Sequence, residues 1–204
     1  MSKRARGFTL VEILVVVAII GVMVAVATLS IGLLGADREV EDQTRRLWAV
    51  LQQAREEAEL QGQDIGVFVT TGAYEFLRFD PRRNAWTLID DDAFYRPREL
   101  PEGLRHRLWL DGREAVLKLQ APDRSDEEQQ KKHPPQILVL SSGEIMPFEL
   151  HIERNAAEAL WRVIGAPDND LRVERREGPR KWTVVAQTTE PESENEAKPL
   201  SQTR

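Results

Sequence analysis

From position 13 to position 36 the chain reads ILVVVAIIGVMVAVATLSIGLLGA, a run without a single charge. At 1.5 Å of rise per residue, about 20 such residues cross a hydrocarbon core of about 30 Å, so the run is long enough to span a bilayer. It also exceeds the apolar stretch of about 7 to 15 residues in a removable secretory signal. Lys3, Arg4 and Arg6 precede the run with no acid among them, and Asp37, Glu39, Glu41 and Asp42 follow it. Basic flanks stay on the cytoplasmic side, which puts the bulk of the chain outside the cytoplasm. Between positions 8 and 36 the only charge is Glu12. A carboxylate costs about 2.5–3.5 kcal/mol at a bilayer centre and less near the interface, so Glu12 needs either the headgroups or a partner.

The residues around Glu12 carry a resemblance. Gly7-Phe8-Thr9-Leu10-Val11-Glu12, running into an uninterrupted apolar stretch, resembles the prepilin cleavage and methylation motif of type IV pilins and type II secretion pseudopilins. The resemblance implies that a membrane aspartyl peptidase cuts after Gly7 and that Phe8, the new terminus, is N-methylated. It further implies that Glu12 pairs with the N-terminus of a neighbouring subunit as the filament assembles. The partners it implies are other major and minor pseudopilins, the prepilin peptidase/methylase, an inner-membrane assembly platform and inner-membrane lipid. Electrostatics agrees with such a pairing. Cutting there exposes the Phe8 ammonium four residues from Glu12, at a helix start where the N-terminal dipole favours a carboxylate and a low dielectric strengthens opposite charges.

Past the apolar run, Val40, Thr44, Leu47, Trp48, Leu51, Ala54 and Ala58 recur at helical three-and-four spacing. No proline interrupts positions 8–62, so one helix of about 54 residues, about 80 Å long, is expected, with Gly62 as its C-terminal stop. The pattern then turns to short β-rich runs at 65–71, 74–79, 85–89, 104–110, 115–120, 136–140, 145–152, 159–164, 171–175 and 181–186. The expected fold class is α+β: a long N-terminal pilin helix, half membrane-spanning and half amphipathic, packed on an antiparallel β-sheet or β-sandwich head. The expected divisions are a leader at 1–7, a transmembrane and assembly helix at 8–36, its amphipathic half at 37–62, a periplasmic head at 63–186 and a disordered acidic tail at 187–204. A polar segment at 121–135, APDRSDEEQQKKHPP, is expected to be a mobile surface loop.

Three stretches of the head resemble the H-type minor pseudopilin of the type II secretion system: LQQAREEAELQGQDIG at 51–66, Tyr74-Glu75-Phe76, and SGEIMPF at 142–148. That resemblance implies a structural subunit that initiates or caps a periplasmic pseudopilus, located in a bacterial inner membrane as a single-pass protein with a cytoplasmic N-terminus. It implies neither an enzyme nor a cofactor.

Composition narrows the chemistry. There is no cysteine, which excludes disulfides, thiolate nucleophiles and Cys-based zinc sites. The formal charge is −6, and removal of residues 1–7 makes it −9, a mean that disfavours nucleic acid. His106, His133 and His151 show no paired-ligand spacing, and His106 alternates with Leu104 and Leu108 on an expected strand. Asp90-Asp91-Asp92 lacks the calcium-loop pattern and reads as a solvated turn. Ser141-Ser142-Gly143 lacks a nucleophile elbow and reads as a hairpin turn. The five tryptophans lie on separate elements and suit a core or an interface. The alternative reading rests on Arg172, Arg175, Arg176, Arg180 and Lys181. Gly178-Pro179-Arg180-Lys181 loosely resembles the basic motif of a DNA-uptake minor pilin of competence pili, which implies Arg175, Arg176, Arg180 and Lys181 as candidate phosphate contacts. The processing reading makes a direct prediction: mass spectrometry of the mature chain finds N-methylated Phe8 at its start, and any other first residue refutes the motif assignment.

Overall fold

The computed structural model describes the backbone of residues 10–124, 133–154 and 161–188, and the side chains of all of these except 25–36. Gly7 and Phe8 lie outside the described residues. The chain divides into two compact units, residues 1–39 and residues 40–204. The described part of the first unit is helical; it belongs to α1 (Leu10–Gln61), which continues into the second. Gly62 ends α1 at φ 62°, and the Gln63 amide donates to Ala58 O at 3.2 Å, the left-handed stop that glycine adopts without strain.

The second unit adds eleven described strands: β1 (Ile65–Val69), β2 (Ala73–Asp80), β3 (Ala85–Leu88), β4 (Arg98–Glu99), β5 (Leu104–Leu110), β6 (Arg113–Ala115), β7 (Ile137–Val139), β8 (Phe148–Arg154), β9 (Trp161–Gly165), β10 (Leu171–Gly178) and β11 (Lys181–Gln187). They form two sheets. The first runs β3-β2-β1-β7, with β4 also on β2, and the second runs β11-β10-β9-β8-β5-β6. All named strand pairs are antiparallel, and Asp111 and Gly112, both at positive φ, make the two-residue turn that joins β5 to β6.

The stripe seen in the sequence is what unites the sheets. Leu47, Val50, Leu51, Ala54 and Ala58 of α1 are buried in one core with Val67, Val69 and Phe76 of the first sheet and Leu108, Leu150, Val163 and Leu171 of the second. Fully burying one such aliphatic side chain is worth about 1.5–3 kcal/mol, so this stripe outweighs any single polar contact in the head. Val40 joins a second cluster with Leu104, Ile152, Trp161 and Val173, and the Trp48 indole N–H donates to Leu171 O at 2.8 Å.

Several expectations need correction. The run expected as a strand at 115–120 leaves the sheet after Ala115. Leu117 packs against the core, the Thr71 amide donates to Lys118 O at 2.9 Å, and Val116 is left exposed. The strand expected from 145 begins at Phe148, because Leu140 and Glu144 first close a turn in which the Gly143 amide donates to Leu140 O at 2.8 Å. Gly143 holds φ 81° against α1, where a Cβ would meet the Glu59 carboxylate. The segment expected to be a mobile loop at 121–135 is held at both ends, while 125–132 lie outside the described residues. Arg124 bonds the Glu75 carboxylate at 2.7 Å, with both side chains buried, and stacks on the Phe68 ring at 4.7 Å. Pro135 lies so close to Gly66 that a Cβ there would come within 2.3 Å of it. These ends cover the outward face of β1, which is why every residue of β1 is buried. The sequence pattern of 121–135 showed low apolar content, and its ends are held instead by polar contacts of Arg124 and His133 and by the packing of Pro135.

The segment between β3 and β4 is tied to α1 through Tyr95. Its hydroxyl donates to the Glu57 carboxylate at 2.7 Å, and Arg78 approaches the same carboxylate at 3.3 Å. Burial first, and the Glu57 bond second, push the Tyr95 phenol well above its usual value. Tyr95→Phe keeps the ring and removes the donor, so urea unfolding should show a loss of about 1–2 kcal/mol. An unchanged midpoint would show that the bond contributes nothing to the fold.

Candidate functional site

Glu12 lies in the first turn of α1, where a carboxylate is favoured by the helix dipole. Around it the helix is apolar on every side. Leu10, Val11, Ile13, Leu14, Val17, Ile20, Val22 and Met23 all expose more than half of their surface. A helix that is hydrophobic all round is stable only inside protein or lipid, so this segment requires a covering that the chain itself does not supply among its described residues. Among the described residues no helix is long and apolar enough to cross a membrane, and side chains are described in the uncharged run only as far as Val24. Of the three residues singled out for processing and assembly, the structure places Glu12 alone.

The basic cluster is drawn together on the β10–β11 hairpin, but most of its charge is committed there. Arg172 bonds Asp170 at 2.7 Å and also Asp168, Lys181 bonds Glu177 at 2.8 Å, and Arg176 donates to the carbonyls of Gly178 and Pro179 at 3.1 and 2.7 Å. The Arg175 guanidinium lies 5.5 Å from the centre of the Trp161 ring. Arg180 is exposed. Arg175 and Arg176 are also adjacent on one strand and therefore face opposite sides of the sheet. The four do not present one continuous cationic surface of the kind that follows a nucleic-acid backbone.

The three histidines are far from one another in role. His106 is buried on β5 with its Nδ1 at 3.0 Å from Thr70 O, so Nδ1–H donates, and Nε2 has no hydrogen-bond partner among the described residues. His151 sits on the outward face of the second sheet between Trp109 and Trp182, with ring centres at 4.3 and 5.5 Å. Burial lowers its pKa, against the opposing pull of Glu149. His133 contacts Lys118 at 2.8 Å. Among the described residues no three His, Asp or Glu side chains gather as a metal site. At 90–92 the acids form a turn, with the Phe94 amide donating to Asp92 Oδ1 at 2.8 Å. The Trp109–His151–Trp182 cluster and the Glu57–Tyr95 bond were not singled out from the sequence. Alternation along β5 and β8 marks Trp109 and His151 as outward positions, but no sequence pattern reports which strands are neighbours.

Burial pushes the His106 pKa down to about 4, from an ordinary value near 6.5. In the unfolded chain the imidazole takes up a proton at higher pH than in the folded one. The stability from burying it neutral is therefore complete above about pH 6.5 and is lost as pH falls toward 4, a change on the order of 3 kcal/mol. Urea midpoints measured across that window should fall with pH in the wild type and fall less in His106→Gln. Equal slopes in the two would show that other groups carry the dependence.

The comparisons with known proteins divide along the same lines as the chain. The model for the prokaryotic N-terminal methylation motif matches residues 2–28, and that for the type II transport protein GspH matches residues 43–169. Type II secretion system protein H of Pseudomonas aeruginosa is 33% identical over 180 residues, covering 88% of this chain and 99% of the relative. The protein of the same description from Vibrio cholerae is 32% identical over 187 residues, covering 82% of this chain and 93% of the relative. Among solved structures, the crystal structure of the minor pseudopilin EpsH from the type II secretion system of Vibrio cholerae superposes with a TM-score of 0.55 at 28% identity, covering 67% of this chain and 93% of that one.

Proposed function

The chain belongs to the family of type II secretion system protein H, and from that premise we propose that it works as a minor pseudopilin, a structural subunit of the periplasmic pseudopilus through which folded proteins are exported across the outer membrane. The observation that carries this reading is the joint match of a methylation motif at residues 2–28 and a GspH region at residues 43–169 in one chain. A subunit of this kind acts by assembling with other pseudopilins and with the secretion machinery, not by turning over a substrate.

The finer reading concerns how the subunit is made and placed. Lys3, Arg4 and Arg6 hold the leader in the cytoplasm, residues 13–36 cross the inner membrane, and the head stands in the periplasm. The prepilin peptidase cuts after Gly7 and methylates Phe8. The Phe8 ammonium of one subunit then meets Glu12 of its neighbour in a water-poor bundle, where an unpaired charge is costly and only the correct axial register pairs both. The inner-membrane platform extracts and adds subunits, and this one serves at initiation or at the tip. Supporting this are the single carboxylate in the apolar run, its place in the first turn of α1, and the exposed apolar surface around it.

Glu12→Ala should reach the membrane and lose its leader at wild-type levels, yet cross-link into the pseudopilus about tenfold less or worse, the ratio that about 1.4 kcal/mol of lost pairing gives. Incorporation at the wild-type level would remove Glu12 from assembly. Deletion of the chain should stop release of exoproteins, and undiminished release would refute the secretion role.

A further inference from the structure

Beside α1 the head carries a groove of about 460 Å³ whose walls are Arg46, Ala49, Val50 and Gln53 on the helix and Ala93 and Phe94 on the segment before β4. Phe94 is 69% exposed. An aromatic ring left in water at the tip of a floppy loop would carry little meaning, but this one is held firmly. Its own amide is capped by Asp92, the Tyr95 amide donates to Asp92 O at 3.2 Å, and the next side chain, Tyr95, is fully buried and bonded to Glu57 on α1. The ring is thus presented by a rigid turn, which lowers the ordering cost of seating it in a partner.

The charges beside the groove are equally specific. Arginines in the head are for the most part committed: Arg45 to Glu41, Arg78 to Glu57, Arg105 to Glu153, Arg107 to Glu114, Arg124 to Glu75, Arg162 to Glu174. Arg46 and Arg98, like Arg82, Arg96, Arg113 and Arg180, form no side-chain hydrogen bond or ion pair among the described residues, and Arg46 is set apart by its place on the wall of the groove. Arg98 on β4 pairs opposite Tyr74 on β2, and both cations lower the pKa that burial raises for the Tyr74 phenol. With Arg46 on the groove wall and Arg98 on the strand that follows Phe94, the rigid exposed ring and the apolar helix face make an interface anchor with a cationic side.

We propose that this groove is where the head docks another pseudopilin, a chain different from this one, which presents an apolar side chain ringed by carboxylates. The proposal deepens the pseudopilin reading above and rests on it. A symmetric pair of copies of this chain is disfavoured, since a two-fold contact centred on the groove brings Arg46 and Arg98 of one copy against those of the other.

The test uses the full chain in cells producing the whole secretion system, with a photoreactive phenylalanine analogue at Phe94 and, as a control, at Val116, which is exposed elsewhere on the head. The expected result is an adduct from position 94, identified by mass spectrometry as another pseudopilin and weakened about tenfold by Arg46→Glu with Arg98→Glu. The milder Arg46→Ala should weaken it less, and all variants should keep the wild-type urea midpoint, since none of these side chains is in the core. An adduct with a second copy, with this chain's own residues, with lipid or with an exported protein overturns the proposal. So does no adduct, an equal yield of the same adduct from position 116, or one indifferent to charge reversal. The two readings fail separately. Export that survives deletion of the chain refutes the pseudopilin role, whereas export lost on deletion but normal in Phe94→Ala and in the double arginine variant refutes this surface alone.

Discussion

The head depends on one apolar stripe. Leu47, Leu51, Ala54 and Ala58 are completely buried along α1, and among the described residues they are the helical surface that closes two antiparallel sheets over a common core. Neither sheet could be stable with that face in water, and the helix past Glu39 has no other reason to hold its direction. The small residues matter as much as the large ones. Ala54 and Ala58 let strands approach the helix closely, and the turn at Gly143 settles against Glu59 with no room for a side chain. The polar ties at the far end, Tyr95 to Glu57 and Trp48 to Leu171, then fix the rotation of a helix whose burial is already decided.

The stripe, the helix stop at Gly62 and most strand positions were legible in the sequence, because each is reported by a local pattern: a period of three and four, a glycine, or an alternation between turns. His106 was legible as a strand position in step with Leu104 and Leu108 for the same reason, with core and surface both left open. What was not legible depends on pairs distant in the chain. The apolar alternation of 115–120 looks like a strand, yet it is divided between two sheets by the bond from Thr71 to Lys118. The polar segment 121–135 looks like a free loop, yet Arg124 finds Glu75, 49 positions away, and Pro135 finds Gly66. For the assembly segment the balance is reversed. Glu12 and its neighbours were read from the sequence, while Gly7 and Phe8 lie outside the described residues.

The two units set their charges to opposite uses. In the head, acids and bases occur together and are largely paired at the surface, where each pair is worth little and the net effect is a soluble face with few demands on a partner. Between positions 8 and 36 Glu12 is the one charged residue, in surroundings where a charge is expensive. The same physical chemistry therefore predicts indifference in one place and selectivity in the other. On the assembly reading proposed above, that division suits a subunit that joins a filament in one register, because the correct neighbour lowers the cost of the charge.

Such a division also explains why unpaired cations in the head are informative. Among the head's arginines, some paired as Arg45 is to Glu41 and Arg78 to Glu57, Arg46 is the one that shares a groove with the pinned Phe94. Phe94 contributes nothing to the core, and Asp92 and Tyr95 hold its turn rigid while the ring itself faces water. Stability alone would favour a polar residue at that position, since an exposed ring gains no burial energy and adds an aggregation risk. The turn and the ring make sense together when the surface that completes them belongs to another chain.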